Sequence, residues 1–216
     1  MEFQYYPITL IIIIITVLLS IKAFNQPEIK FKWVFYPYKI KRDKQTYRVI
    51  SHMFIHGDYM HLFFNMFVLF SFGRNMEYIF GETYGLGLGR LHFVILYLVG
   101  GLASSIWPYT RNVDNPNYMS LGASGAVSAV LFAAILWMPG QPLYLMFIPI
   151  GIPAWVVGIL YLGFEYYMSK KGGTGIAHDA HFGGAIFGIA YILFINFDKG
   201  SAFISYILEF ISNIFN

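Results

Sequence analysis

The stretch "YMSLGASGAVSAVLFAAILWMPG", residues 118–140, places a serine among glycine and alanine at the start of an apolar segment that ends at Pro139-Gly140. A helix from Ser124 to Met138 is about 22 Å long, because an α-helix rises about 1.5 Å per residue. The hydrocarbon core of a bilayer is about 30 Å thick, so one end of this helix must stop short of a membrane surface. We therefore expect Ser124 to be submerged, with irregular backbone before it that protein or water surrounds.

The small residues around this serine suggest a chemical role for it. Gly122 and Gly125 permit close approach of the backbone, and the free N–H groups at a helix start can receive a developing oxyanion. The alternative is that Ser124 only packs against a neighbouring helix, since small residues are common in contacts between transmembrane helices.

The composition indicates an all-α polytopic membrane protein. The chain is 57% hydrophobic and 20% aromatic but only 12% charged, which is more apolar than a soluble domain of this length. It has no cysteine, which excludes disulfides and thiolate chemistry. We interpret residues 1–216 as a single membrane domain. The predicted transmembrane helices are six, at residues 5–24, 60–80, 91–107, 124–138, 145–168 and 177–197, and residues 201–215 are a possible interfacial helix.

The long segment between the first two spans mixes lysine and arginine with tryptophan and tyrosine, a composition typical of the membrane interface. We expect this first loop to rest against the bilayer surface. With the predicted spans, eleven of the fourteen lysines and arginines lie on one side of the membrane. The positive-inside tendency would then place both termini outside the cytoplasm.

A second constellation is "GIAHDAHFGGAIFG", residues 175–188, at the start of the sixth span. At 100° per residue, His181 shares one helix face with Gly184 and Gly188, whose spacing lets two helix backbones approach closely. His181 is the large polar group on this face. A neutral imidazole near a serine hydroxyl is the minimal arrangement for general-base catalysis.

Two polar neighbours of His181 are interpreted differently. His178 is nearer the helix start and is interpreted as an interfacial polar residue rather than a ligand. Asp179 points about 160° away from His181 on a helix, so it is a poor candidate for a third catalytic residue.

A third constellation, "HMFIHGDYMHLFFNMF" at residues 52–67, leads into the second span. His61 and Asn65 are four residues apart and share a helix face among leucine and phenylalanine. An amide is costly in hydrocarbon unless it has a partner. Together these side chains offer two donors for an anionic oxygen; the alternative is hydrogen bonding between helices.

In this order and spacing, the three constellations resemble the rhomboid family of intramembrane serine proteases, over about residues 50–197. The resemblance rests on the motifs Gly122-Ala-Ser124-Gly125, "AHFGGAIFG" and "HGDYMHLFFN". The segment "FGRNMEYIFG", residues 72–81, also resembles a family turn and implies a structural role for Glu77.

The resemblance implies a rhomboid-like bundle of six transmembrane helices with a membrane-associated first loop. Ser124 would be the nucleophile and His181 the base of a catalytic dyad. His61, Asn65 and the backbone N–H of Ser124 would form the oxyanion hole. Helix packing would be supported by four glycines: Gly122, Gly125, Gly184 and Gly188.

The implied activity is that of a serine endopeptidase that cleaves transmembrane-helix substrates and uses no cofactor and no metal. Its partners would be single-span transmembrane proteins and the lipid bilayer, and not nucleic acid. The implied location is a cell membrane, that of a multi-pass protein in a bacterial inner membrane. Bacterial members usually keep the N-terminus in the cytoplasm, which is contrary to the charge count above.

One position departs from the family pattern. Many members carry an aromatic residue four positions after the nucleophile, against which the catalytic histidine stacks, and here that residue is Ser128. Either another ring supplies this contact or His181 is held differently.

Two other functions remain as alternatives. A catalytically silent rhomboid-like protein that binds transmembrane helices would share the fold, but such proteins usually lack the serine or the histidine. A metal or haem protein could instead use His52, His56, His61, His178 and His181 as ligands. No H-E-x-x-H motif occurs in the chain, which disfavours the second alternative.

Overall fold

The computed structural model describes residues 6–144, 150–171 and 176–215, and these are mostly helical. A 3-10 turn covers His52–Phe54, and a π-helical segment covers Leu69–Gly73. The α-helices are α1 Pro7–Asn25, α2 Pro27–Trp33, α3 Pro37–Arg42, α4 Arg48–Ser51, α5 Tyr59–Val68, α6 Arg74–Tyr84, α7 Leu86–Ser104, α8 Ile106–Asn112, α9 Ser124–Trp137, α10 Ala154–Lys171, α11 His178–Ile195 and α12 Asp198–Phe215.

Helix α9 forms the centre of the molecule. Eleven of its fourteen residues are buried, and α7 and α11 pack along it. Small residues bring these helices close: a Cβ added at Gly100 of α7 would lie 2.6 Å from the Cβ of Ala129. The core therefore depends on backbone-to-backbone proximity as much as on large apolar side chains.

Three helical stretches of the described residues are long and apolar enough to cross a membrane: Pro7–Asn25, Leu86–Asn112 and His178–Ile195. Helix α9 is apolar but shorter. The chain is thus a helical membrane protein. The predicted span 60–80 covers α5, the π-helical segment and part of α6, and the predicted span 145–168 overlaps α10. Neither is among these three stretches, and the total of six spans remains a prediction.

The fifth predicted span, 145–168, starts too early. Strands β1 (Pro142–Tyr144) and β2 (Gly151–Pro153) pair as an antiparallel hairpin, and α10 begins only at Ala154. Residues 145–149 lie outside the described residues. Proline cannot continue a helix interior, so Pro153 is tolerated just before the helix but not within it. The described part of this apolar run is thus divided between strand β2 and α10.

The first loop is a folded structure that contains α2, α3 and α4. The guanidinium of Arg48 is buried and donates to the carbonyl oxygens of Phe31 and Val34, at 2.9 and 2.8 Å. Phe35 forms a β-bridge with Ser120, close to the start of α9. The loop is thereby attached to the segment before Ser124, while its contact with the bilayer remains a prediction.

Two further predictions from the sequence concern Glu77 and residues 201–215. The carboxylate of Glu77 accepts hydrogen bonds from the backbone N–H groups of Ile8 and Thr9, at 2.9 and 2.8 Å, and so holds the first turn of α1 against α6. This is a structural role, as the resemblance implied. The C-terminal residues form α12, which contacts α10 through the rings of Phe210 and Trp155; its interfacial position remains a prediction.

Candidate active site

Ser124 begins α9 immediately after irregular backbone. Gly122 has a φ of 121°, a conformation that favours glycine. A Cβ added there would lie 2.6 Å from Cε1 of the His61 ring. Glycine at this position therefore lets the loop pass directly against His61 before the chain enters α9.

His181 lies on α11, one turn before the closest approach of that helix to α9. A Cβ added at Gly184 would overlap the carbonyl oxygen of Gly125, and one at Gly188 would overlap that of Ala129. Contacts this close leave little freedom for α11 to slide or rotate on α9. The position of His181 relative to α9 is therefore set by backbone contact.

Ser124 and His181 are directly hydrogen bonded, with Oγ and Nε2 separated by 2.7 Å. The other ring nitrogen, Nδ1, lies 3.1 Å from Oε1 of Glu165. An ionised carboxylate only accepts hydrogen bonds, so this network assigns the ring proton to Nδ1. Nε2 is then the acceptor for the Ser124 hydroxyl, which is the tautomer a general base requires.

His61 and Asn65 lie on the first two turns of α5. The Asp58 carboxylate caps this helix by accepting the backbone N–H of His61 at 2.8 Å. Asn65 is buried, and its amide donates to the carbonyl oxygen of His61 at 3.0 Å. An amide nitrogen carries two N–H bonds, so Asn65 can donate to a second acceptor.

These four side chains line one cavity of about 660 Å³. Its walls come from α5, α9, α10 and α11 and from the segments that precede α5, α9 and α11. Its polar lining consists of Asp58, His61, Asn65, Ser120, Ser124, Ser128, Tyr161 and His181. The remaining wall is largely apolar and includes Met60, Phe64, Val68, Val127 and Leu131. A hydroxyl–imidazole pair thus faces a space suited to an apolar chain.

The buried ring of His56 supports the segment before Ser124. Its Nε2 accepts the backbone N–H of Ala123 at 3.3 Å, and its Nδ1 lies 3.0 Å from Oγ of Ser20 on α1. Burial lowers the pKa of His56 to about 3, so the ring is neutral and able to accept. His56 therefore connects the first helix to the residue that precedes the serine.

Glu165 is a site residue that the sequence motifs did not predict. This residue lies on α10, and its carboxylate contacts His178 as well as His181. The available signal was an ionisable residue within an apolar helix, which by itself indicates function. His181 Nδ1 thus donates a hydrogen bond to Glu165, in a site where position 128 is a serine and supplies no aromatic ring. The hydroxyl of Tyr161 lies 3.5 Å from Ser128 Oγ.

His178, whose interfacial position remains a prediction, is the first residue of α11. Its side chain is buried, and Nδ1 lies 2.6 Å from Oε2 of Glu165. The adjacent Asp179 instead accepts the backbone N–H of Ala180 at the start of α11, at 3.0 Å. The acidic partner of the two histidines therefore comes from a neighbouring helix.

Among the described residues, Glu165, His178 and His181 offer potential metal-ligand atoms within 4.8 Å of one another. Ligands at about 2.0–2.1 Å from a tetrahedral zinc ion are more than about 3 Å apart. The 2.6 Å between Glu165 Oε2 and His178 Nδ1 is too short for both of these atoms to bind one such ion. His52 and His56, considered above as ligands, instead contact the hydroxyls of Ser105 and Ser20.

A family model described as Rhomboid domain matches residues 43–196, a range that includes His61, Asn65, Ser124, Glu165 and His181. The chain is 33% identical over 152 residues to the presenilin-associated rhomboid-like protein, mitochondrial, of Rattus norvegicus, a match that covers 65% of this chain and 36% of that protein. It is 29% identical over 171 residues to RHOMBOID-like protein 12, mitochondrial, of Arabidopsis thaliana, covering 72% and 48%.

A bacterial relative is also similar. The chain is 30% identical over 159 residues to rhomboid protease GluP of Bacillus subtilis (strain 168), covering 74% of this chain and 28% of that protein. The chain spans less than half the length of each of these relatives. Because several relatives are named as mitochondrial, they do not support the prediction of a bacterial inner membrane.

Proposed function

The chain belongs to the rhomboid family, and we propose that it is an intramembrane serine endopeptidase that cleaves transmembrane-helix substrates. The observation that carries this proposal is the hydrogen bond of 2.7 Å between Ser124 Oγ and His181 Nε2. The cavity that both side chains face, about 660 Å³, is within the usual size range of binding sites in proteins.

The proposed arrangement in the membrane is a bundle of six spans formed by α1, residues 59–84, α7, α9, α10 and α11. Helix α9 has fourteen residues and is about 21 Å long, so it does not reach both membrane surfaces. Its neighbours enclose the irregular backbone before Ser124, which makes a submerged helix start acceptable. The first loop would then lie at the interface.

The reaction begins when the Ser124 hydroxyl proton moves to Nε2 of His181 and Oγ bonds to the scissile carbonyl carbon. The carbonyl π electrons move to the oxygen. Collapse of this intermediate breaks the carbon–nitrogen bond, and His181 gives the proton to the leaving amine. Water then attacks the acyl group and gives a proton to His181, which returns it to Ser124 as the ester bond breaks.

The oxyanion would be stabilised by hydrogen-bond donors from both walls of the cavity. We assign this role to the side chains of His61 and Asn65 and to the backbone N–H of Ser124. The first N–H groups of a helix have no partner within that helix, and they point toward the helix start. Fixed donors in a water-poor site stabilise developing charge more strongly than they would in water.

The expected substrates are single-span transmembrane proteins. A helix in lipid uses its carbonyl groups in its own hydrogen bonds, so the substrate must unwind locally before attack. We therefore expect small or helix-breaking residues near the cleavage site. The apolar walls of the cavity suit the side chains of such a segment.

The proposal is tested by cleavage of a panel of single-span substrates in liposomes, with labelling by a fluorophosphonate probe. We expect the wild-type protein to cleave at least one substrate and to be labelled, and Ser124→Ala to lose both properties. The expected loss of turnover is about 1,000-fold or more, because the nucleophile is removed.

Equal labelling of the wild-type and Ser124→Ala proteins would reject Ser124 as the nucleophile. A wild-type protein that binds transmembrane helices but neither cleaves them nor reacts with the probe would favour the catalytically silent alternative.

A further inference from the structure

Glu165 is a buried acidic residue on a helix with an apolar sequence. Its relative exposure is 3%, and the surrounding segment, residues 158–168, reads "GILYLGFEYYM". A buried carboxylate is costly in free energy unless other groups satisfy its oxygens. The groups that contact its carboxylate must therefore offset the free-energy cost of its burial.

Each carboxylate oxygen of Glu165 contacts one imidazole. Oε2 lies 2.6 Å from Nδ1 of His178, and Oε1 lies 3.1 Å from Nδ1 of His181. The two rings are edge to face, with centroids 6.1 Å apart. With both oxygens engaged, the carboxylate cannot rotate without losing one of these contacts.

We propose that Glu165 is a positioning residue for catalysis, the acidic member of a triad with Ser124 and His181. This inference rests on the proposed protease function. The Glu165 carboxylate holds the ring proton of His181 on Nδ1, which leaves Nε2 free to accept the serine proton. Three helices thus each supply one member: α9, α10 and α11.

The carboxylate also acts during the reaction. When His181 takes the Ser124 proton it becomes a cation, with an ionised oxygen of Glu165 at 3.1 Å. This charge pair stabilises the transition state more than the ground state, where the ring is neutral. Glu165 takes up no proton in any step. His178 contributes by holding the second oxygen, and so the orientation of the carboxylate.

The test compares Glu165→Gln and Glu165→Asp with Glu82→Gln, a matched change at an exposed position of α6. Glutamine keeps the shape but removes the charge, and aspartate keeps the charge on a shorter side chain. For each protein, kcat and KM are measured, with the rate constant and the final extent of fluorophosphonate labelling. The final extent of labelling measures the fraction of the protein that is folded well enough to react. The rate constant of labelling reports how strongly Ser124 is activated.

We expect Glu165→Gln to lower kcat about 100-fold or more, with KM changed less than about 3-fold and the labelling rate constant lowered in parallel. Glu165→Asp should recover part of this loss, and Glu82→Gln should match the wild type. A Glu165→Gln protein with the wild-type labelling rate constant would overturn the inference, even if its final extent of labelling were reduced.

These outcomes separate the two proposals. If the wild-type protein cleaves and is labelled at Ser124 while Glu165→Gln is fully active, only the triad fails. If the wild-type protein shows no reaction that depends on Ser124, the proposed function itself fails.

Discussion

The two walls of the cavity are held in place by different kinds of contact. We call the wall formed by α9 and α11 the glycine side. These two helices touch through backbone atoms at Gly125 and Gly184 and, one turn later, at Ala129 and Gly188. We call the wall formed by α5 and the segment before it the loop side. This wall is held by side-chain hydrogen bonds, such as those of His56. The glycine side carries Ser124 and His181, and the loop side carries His61 and Asn65.

This difference determines how each wall responds to a change. A backbone contact has no flexible atom that can move aside, so any added volume must separate the helices. A hydrogen bond can be replaced by a neighbouring group or a water molecule at modest cost. We therefore expect substitutions on the glycine side to reduce activity more than substitutions on the loop side.

The largest effect is expected for Gly184→Val. The added side chain overlaps the Gly125 carbonyl, so α11 must move away from α9 and carry His181 with it. A displacement near 1 Å can cost about 100-fold in rate. We expect a membrane-inserted protein whose turnover of a model substrate falls by at least about that factor, and a smaller loss for Gly184→Ala.

The control for this change is Gly183→Ala. A Cβ at Gly183 would lie 3.4 Å from Cα of Ser104, an ordinary contact, so turnover should remain near that of the wild type. If Gly184→Val cleaved the substrate at the wild-type rate, the glycine side would not position the serine and the histidine.

An intermediate effect is expected for Asn65→Ala. Loss of one oxyanion donor should lower kcat by about 10-fold or more, while Ser124 still reacts with the fluorophosphonate probe. The control is Asn112→Ala on α8, since the Asn112 amide also donates to the carbonyl four residues earlier, at 2.9 Å from Pro108, but lies outside this cavity. Equal turnover in the two variants would leave Asn65 with a packing role.

The smallest effect on rate is expected for His56→Phe, which keeps a ring but removes its contacts with Ser20 and Ala123. The free energy of unfolding in detergent should fall by about 1–3 kcal/mol, because buried partners lose a hydrogen bond. Turnover should fall only a few-fold, about 2- to 5-fold, since the glycine side still positions Ser124.

His92→Phe is the matched control for His56→Phe. It removes a hydrogen bond between His92 Nδ1 and the Tyr191 hydroxyl, 2.7 Å long, away from the cavity, and should leave turnover unchanged. A loss for His56→Phe as large as that for Gly184→Val would contradict the proposed difference between the two walls.

The sequence predicted those parts of the candidate site whose residues lie on the same helix. Gly184 and Gly188 lie on the face of His181 because rotation per residue is constant within a helix. The same reasoning pairs His61 with Asn65. The short apolar run placed Ser124 at a helix start, and the structure begins α9 at that residue.

The first residue of α10 was harder to predict from the sequence. The apolar run from residue 145 continues through the second strand of a hairpin into a helix, and hydropathy alone does not distinguish these two structures. The buried face of α10 includes Gly158 and Glu165, seven residues or about two turns apart. This spacing marks a face, but it does not say which helix that face meets.

From the sequence alone, the chain was determined to be a helical membrane protein, with Ser124 at a helix start and His181 on a face of small residues, because these properties depend on composition and on local periodicity. Only the tertiary structure decided that Glu165 meets His178 and His181, and that His56 supports Ala123. Those contacts join different segments of the chain. Their geometry depends on how each helix rotates and slides against its neighbours, which the packing of the whole bundle sets and no single segment encodes.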